Sequence, residues 1–231
     1  MTDHIGIVAC SAEGAALCYK TICVEGAAVL GPHAHPEVSM HTPSLSEYVA
    51  RLEDGDIEGV GDLMLASAEK LARIDADFLI CPDNTIHQAF SHVEPRSPLP
   101  WLHIADVVTA EAVRLGFERP AITGTKWLTV SAVYPDALAR RGLGFARPEA
   151  GEIAEIDRII MDELVGSDFR PQSTAFVLGV IERMKQEGCD AVILGCTELP
   201  LIIDASNAPL PCLDSTRLLA RAALKRATGA G

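Results

Sequence analysis

The chain has 231 residues, 48% of them hydrophobic, and a formal charge of −13. That length and apolar content suffice for one or two domains with a real core and exclude a disordered chain. The acidic balance, with no basic stripe, speaks against nucleic acid as a partner, and no apolar run approaches the roughly 18–20 residues that span a bilayer.

The opening "MTDHIGIVAC" shows no basic segment followed by a long apolar one, so no secretory signal is read there and a cytoplasmic protein is expected. Seven cysteines (Cys10, Cys18, Cys23, Cys81, Cys189, Cys196 and Cys212) are odd in number, irregularly spaced and without a C-x-x-C pair. This suits reduced thiols rather than a disulfide framework or a zinc site.

In chain order, "HIGIVAC" (4–10) and "GAAVLG" (26–31) read as buried strands, then "SLSEYVARLEDG" (44–55) as a helix capped by Ser44 or Ser46. "GDLMLASAEKLARID" (61–75) reads as a second helix, and "ADFLICP" (76–82) and "PLPWLHI" (98–104) as two more strands. A second series of strands follows in "RPAITGT" (119–125), "GLGFAR" (142–147), "CDAVILG" (189–195) and "PLPCLD" (209–214). Alternating β and α segments with short connections predict parallel sheets.

The second series repeats the first. Residues 6–20 match 121–135, 68–85 match 181–198, and 98–108 match 209–219, at offsets of 115, 113 and 111 residues. Ile7 falls on Ile122, Tyr19 on Tyr134, Asp77 on Asp190, and Asp83 on Cys196. So long a period is two copies of a domain, not a solenoid. The prediction is an α/β protein of two pseudo-symmetric, Rossmann-like lobes with a cleft between them. The first lobe comprises 1–99 plus 209–231, the second 100–208, and the closing helix is expected to pack back on the first.

Ligands of parallel sheets bind beyond the carboxyl ends of the strands, where Asp83 and Cys196 both lie. Inverting a stereocentre needs one acid–base group on each face of a carbon, and two such groups across a cleft suit that task. A thiol titrates at about pH 8.5, lower at a helix N-terminus. The N–H groups of 84–86 and 197–199, with the side chains of Asn84, Thr85 and Thr197, suit a substrate carboxylate. Cys196 also fits a small buried hydrophobe. Asp83 also fits a helix cap, whose accepted N–H bonds make a poor base.

Other groups carry less. "PHAHPEVSMH" (32–41), with His33, His35, Glu37 and His41, reads as a loop lining the cleft mouth in preference to a metal site. His87, one helical turn beyond Asp83, reads as a structural histidine or a modulator of that carboxylate. No G-x-G-x-x-G or P-loop pattern appears, so no nucleotide is expected, and neither a metal nor another cofactor is expected.

"ILGCTELPLII" (193–203) and the Asn84-Thr85 pair of "CPDNTIH" (81–87) resemble the two signature regions of the aspartate/glutamate racemase superfamily, which works without pyridoxal phosphate and includes hydantoin racemase, maleate isomerase and arylmalonate decarboxylase. The resemblance extends to the turn at Ser11, to "GTKWLT" with Thr125, to "IDRIIMDELVG" (156–166) and to "PLPCLDSTRLLARAAL" (209–224). It implies an amino-acid racemase, commonly a homodimer, with Cys196 catalytic and Asp83 in the place of the first cysteine. It further implies that Ser11, Asn84, Thr85, Thr125, Thr197 and Glu198 bind substrate, with Glu198 orienting the amine. Where relatives carry cations for a distal carboxylate, "HPEVSMHTPSLSEYVA" (35–50) has no Lys or Arg and "IIMDELVG" (159–166) offers Asp162 and Glu163, so neutral and basic amino acids stand for equal testing beside the dicarboxylate that is the family's default. A decarboxylase or cis–trans isomerase on a small carboxylic acid, and a non-catalytic binding homologue, are the alternatives.

Overall fold

The computed structural model describes residues 2–229. They divide into two compact units, one running through Val107 and resuming at Thr216, the other spanning Val108–Ser215. The first contains β1 (Ile5–Val8), α1 (Ala12–Leu30), β2 (Val38–His41), α2 (Leu45–Glu53), α3 (Ile57–Ala72), β3 (Phe78–Ile80), α4 (Phe90–Val93) and β4 (Trp101–Leu102). Helix α5 (Ile104–Leu115) leads into the second unit, which contains β5 (Pro120–Thr123), α6 (Lys126–Val130), α7 (Val133–Ala139), α8 (Ala150–Arg158), α9 (Pro171–Gln186), β6 (Ala191–Leu194) and β7 (Cys212–Asp214). Helix α10 (Ser215–Thr228) returns the chain to the first.

Each unit is built on a parallel sheet, of order β2-β1-β3-β4 in the first and β5-β6-β7 in the second. Every residue of β1, β3, β5 and β6 is buried. That explains the continuous apolar runs: helices cover both faces of a parallel sheet, so no polar alternation survives. In the first unit Ile5, Ile7, Ile22, Phe78 and Ile80 pack with Leu219, Ala220 and Ala223 of α10. In the second, Val177, Ile181 and Met184 of α9 pack with Val192 and Leu194. Among the described residues no helix is long and apolar enough to cross a membrane.

The repeat has a physical meaning. Asp77 accepts the backbone N–H of His4 at 2.6 Å, and its equivalent Asp190 accepts those of Glu118 at 2.5 Å and Arg119 at 3.0 Å. Each aspartate pins the start of its unit's first strand. Likewise Leu79 N–H donates to Pro100 O at 2.8 Å and Val192 N–H to Pro211 O at 2.9 Å, so each "PLP" is the same ladder rung.

Two strand expectations are corrected. "GAAVLG" is the last turn and a half of α1, and the second strand is Val38–His41, inside the segment expected to be a loop. Short apolar runs are ambiguous between helix and strand, and here an alanine-rich run continues a helix that ends at Gly31, with φ +102°. Gly26 lets α1 pass close to the segment leading into β2, since a Cβ there would lie 3.0 Å from His35 Cα. β2 is an edge strand with no fully buried residue, which erased its apolar signal. "GLGFAR" contributes a single parallel bridge, Ala121 to Ala146, in place of a strand.

Candidate active site

In the first unit β1 and β3 are hydrogen-bonded neighbours in register, Ile7 beside Ile80. Ser11 therefore leaves the carboxyl end of one strand next to Asp83, which leaves the other. Ser11 caps α1, its Oγ accepting the N–H of Gly14 at 3.3 Å. Asn84 and Thr85 are buried, and Thr85 begins a 3-10 turn, Thr85–Ala89. Asp83 Oδ1 accepts the Ile86 N–H at 3.1 Å, so the carboxylate does act as a cap. That bond removes Ile86 from the N–H groups expected for a substrate carboxylate. Cys81 is 0% exposed, and burial and then Asp83 push its thiol well above its ordinary range, which keeps it protonated.

His87 addresses the backbone of Asp83 and not its carboxylate. Its Nδ1 lies 2.6 Å from Asp83 O, and Ile104 N–H donates to its Nε2 at 3.4 Å. A carbonyl only accepts and an N–H only donates, so the ring is neutral with its proton on Nδ1. It ties the Asp83 turn to the start of α5. Burial, then His103, hold this imidazole well below its ordinary titration range. The unfolded chain takes up that proton near pH 6.5, the folded one only at much lower pH, so stability is full above about pH 6.5 and falls as pH falls. His87 alone is expected to remove about 1.4 kcal/mol per pH unit below that point. Thermal unfolding at pH 7.5, 6.5 and 5.5 checks this. His87→Gln should lose most of the slope, and an unchanged slope would refute the assignment.

In the second unit β5 and β6 are neighbours with Thr123 beside Leu194, so Thr125 and Cys196 stand two residues beyond paired positions. Thr125 caps α6, accepting the Leu128 N–H at 3.2 Å. Gly195 N–H donates to Thr123 O at 2.8 Å and Ser215 Oγ to Leu194 O at 2.8 Å, which anchors the strand end that carries Cys196. Cys196 is 6% exposed, and its Sγ donates to Glu198 Oε2 at 2.9 Å. Thr197 Oγ1 donates to the same oxygen at 2.7 Å. Glu198, 3% exposed, thus accepts from both a thiol and a hydroxyl. The helix expected after Cys196 is only a three-residue 3-10 turn, Leu199–Leu201. With so few aligned peptides the helix dipole is weak, and the hydrogen bond to Glu198 orients the thiol proton.

The structure therefore gathers Ser11, Asp83, Asn84 and Thr85 at one strand tip, and Thr125, Cys196, Thr197 and Glu198 at the equivalent tip of the other unit. Within "IDRIIMDELVG", Glu163 is buried on a π-helical turn, Ile159–Glu163. It accepts from Ser173 at 2.5 Å, Arg158 at 2.8 Å and Arg170 at 3.4 Å, and these bonds hold its carboxyl below the ordinary range. His41 lies on β2 and bonds Ser67 Oγ at 2.9 Å and Lys70 Nζ at 2.8 Å. Among the described residues no group of three His, Cys, Asp or Glu could hold a metal. Leu45, Tyr48 and Leu52 form the apolar stripe of α2, and such a stripe reads as core without revealing where the phenol oxygen ends.

Known proteins resemble this chain over most of its length. The family model described as Asp/Glu/Hydantoin racemase matches residues 7–223. The broad specificity amino-acid racemase RacX of Bacillus subtilis (strain 168) is 22% identical over 161 residues, 68% of each chain. A Yersinia pestis structure provisionally assigned as an Asp/Glu racemase superposes with a TM-score of 0.88 at 25% identity, covering 97% of this chain and 99% of that one. An aspartate racemase homologue from Pyrococcus horikoshii OT3 gives 0.83 at 26% identity, covering 98% and 99%.

Proposed function

We propose, from the premise that this chain belongs to the Asp/Glu/hydantoin racemase family, that it is a cofactor-independent amino-acid racemase using Cys196 and Asp83. The observation that carries the reading is the equivalence of these two residues, each just beyond the buried strand, β3 or β6, that follows a sixteen-residue helix in its unit. In this reading Glu198 takes the thiol proton, and the Cys196 thiolate removes the α-proton of the amino acid. The Cα–H bond breaks as S–H forms, leaving a carbanion. Asp83, as the acid, gives its proton to the opposite face: O–H breaks and a new Cα–H forms. The hydroxyls of Ser11, Thr85, Thr125 and Thr197 and the amide of Asn84 bind the substrate's polar groups. The reading carries with it a homodimer and a reducing cytoplasmic setting, the latter supported by seven cysteines held as thiols and not as disulfides.

The bond from Ile86 N–H to Asp83 Oδ1 favours a second reading, proton exchange at one face by Cys196 alone, as a decarboxylase or one-base isomerase would perform it. The test is incubation in D₂O with each L- and D-amino acid, following the α-proton by NMR. Exchange from both enantiomers is expected, and the active amino acids name the substrate class. Exchange from one enantiomer alone would favour the second reading. No exchange with any amino acid would sink the racemase proposal.

A further inference from the structure

The carboxylate of Asp157 takes no part in the reaction proposed above, yet it reaches the strand tip that carries Thr125. Asp157 stands on α8 and is buried, 7% exposed. Both of its oxygens address one residue, Lys126, which directly follows Thr125. Oδ1 accepts the Lys126 backbone N–H at 2.9 Å, and Oδ2 lies 3.3 Å from Lys126 Nζ. The first N–H groups of a helix have no partner within it. Lys126 begins α6, so Asp157 supplies that partner from another element. The ammonium is half exposed and also lies 4.5 Å from the centre of the Trp127 ring, and exposed ion pairs contribute little. The bond that matters for position is the one to the backbone.

That backbone packs on the tip of β6, within the same unit. A Cβ on Gly124 would lie 3.0 Å from Gly195 O, so the two tips meet one residue before Thr125 and one before Cys196. The bond from Leu128 N–H to Thr125 Oγ1, at 3.2 Å, sets the hydroxyl relative to α6. The bond from Lys126 N–H to Asp157 sets the start of α6 relative to α8. We propose that Asp157 is a positioning residue for substrate binding: it clamps the Thr125–Lys126 peptide against the β6 tip and so fixes the Thr125 hydroxyl relative to Cys196. This inference rests on the reading of Thr125 as a substrate-binding residue.

In Asp157→Ala, KM for α-proton exchange should rise about tenfold, the worth of one hydrogen bond to substrate, with kcat within about threefold. Asp157→Asn keeps an oxygen for the Lys126 N–H, and Lys126→Met removes only the ammonium, so KM in both should stay within about twofold of the wild type. Asp157→Leu has the branched shape of aspartate without its acceptors; it replaces Asp157→Ala where that protein does not fold, and should raise KM alike. Thr125→Val should raise KM by a similar factor, and adding Asp157→Ala to it should change KM less than about twofold. Three results would each overturn the proposal: an unraised KM in Asp157→Ala, Asp157→Asn as impaired as Asp157→Ala, or independent effects in the double variant. If the wild type exchanges no α-proton, the racemase reading fails by itself, and the ¹H–¹³C resonance of the Thr125 methyl still decides the clamp. It should move in Asp157→Ala and keep its place in Asp157→Asn, and an unmoved resonance in Asp157→Ala would overturn the link between Asp157 and Thr125.

Discussion

Cys196→Ala is expected to lower α-proton exchange at least about a thousandfold while leaving the protein folded. A positioned acid–base group contributes 10²–10⁴-fold, and alanine offers nothing that can accept a proton. The neighbouring groups are poor substitutes: Thr197 Oγ1 is committed to Glu198, and that glutamate accepts the Thr197 hydroxyl beside the thiol. The structural cost is modest. The thiol packs with Leu199 and Leu194 in the second unit's core, and losing one sulfur there costs on the order of 1 kcal/mol. A circular dichroism melt within a few degrees of wild type, together with lost exchange, is the expected pair of results. Retained exchange would remove Cys196 from the mechanism. Asp83→Asn provides the complement: loss in one stereochemical direction larger than in the other would mark the two residues as unequal partners.

Gly195→Ala is expected to be among the most destabilising single substitutions in the second unit. A Cβ on residue 195 would lie 2.6 Å from Thr123 O and 2.5 Å from Leu128 Cδ2. The leucine tip can turn away, but the carbonyl is fixed in the sheet and receives the N–H of Gly195 itself. Strand β6 must move from β5, which costs about 1–3 kcal/mol and displaces Cys196 next in sequence. Urea unfolding should show a lower midpoint at unchanged slope, and exchange should fall with it. Gly151→Ala is the control. A Cβ at 151 meets nothing within 4 Å and residue 151 is in α8, so alanine should add up to about 1 kcal/mol. Equal stability of Gly195→Ala and wild type would refute the packing argument.

The same position shows where the two copies part. The equivalent of Gly195 is Pro82, which has no N–H and cannot make the bond that Gly195 makes to Thr123. The strand tips bearing Asp83 and Cys196 are thus held differently, one by His87 through the Asp83 carbonyl, the other by Gly195 and Ser215.

Much of this was legible in the residues because it depends on local pattern. Unbroken apolar runs mark strands buried on both faces. The offset near 113 residues pairs Asp77 with Asp190 and Asp83 with Cys196, and equal positions in equal folds perform equal backbone tasks. The family resemblance singled out Ser11 and Thr125, which turned out to be helix caps. It failed where burial is one-sided or residues are distant in sequence. β2 lies at a sheet edge, so its Val-Ser-Met-His carries no apolar signal, while the alanine-rich end of α1 imitates a strand. Only the folded chain decided that Glu198 turns back on the Cys196 thiol and that His87 binds a carbonyl and not a carboxylate. Those outcomes depend on side-chain direction, which a residue's type and spacing do not determine.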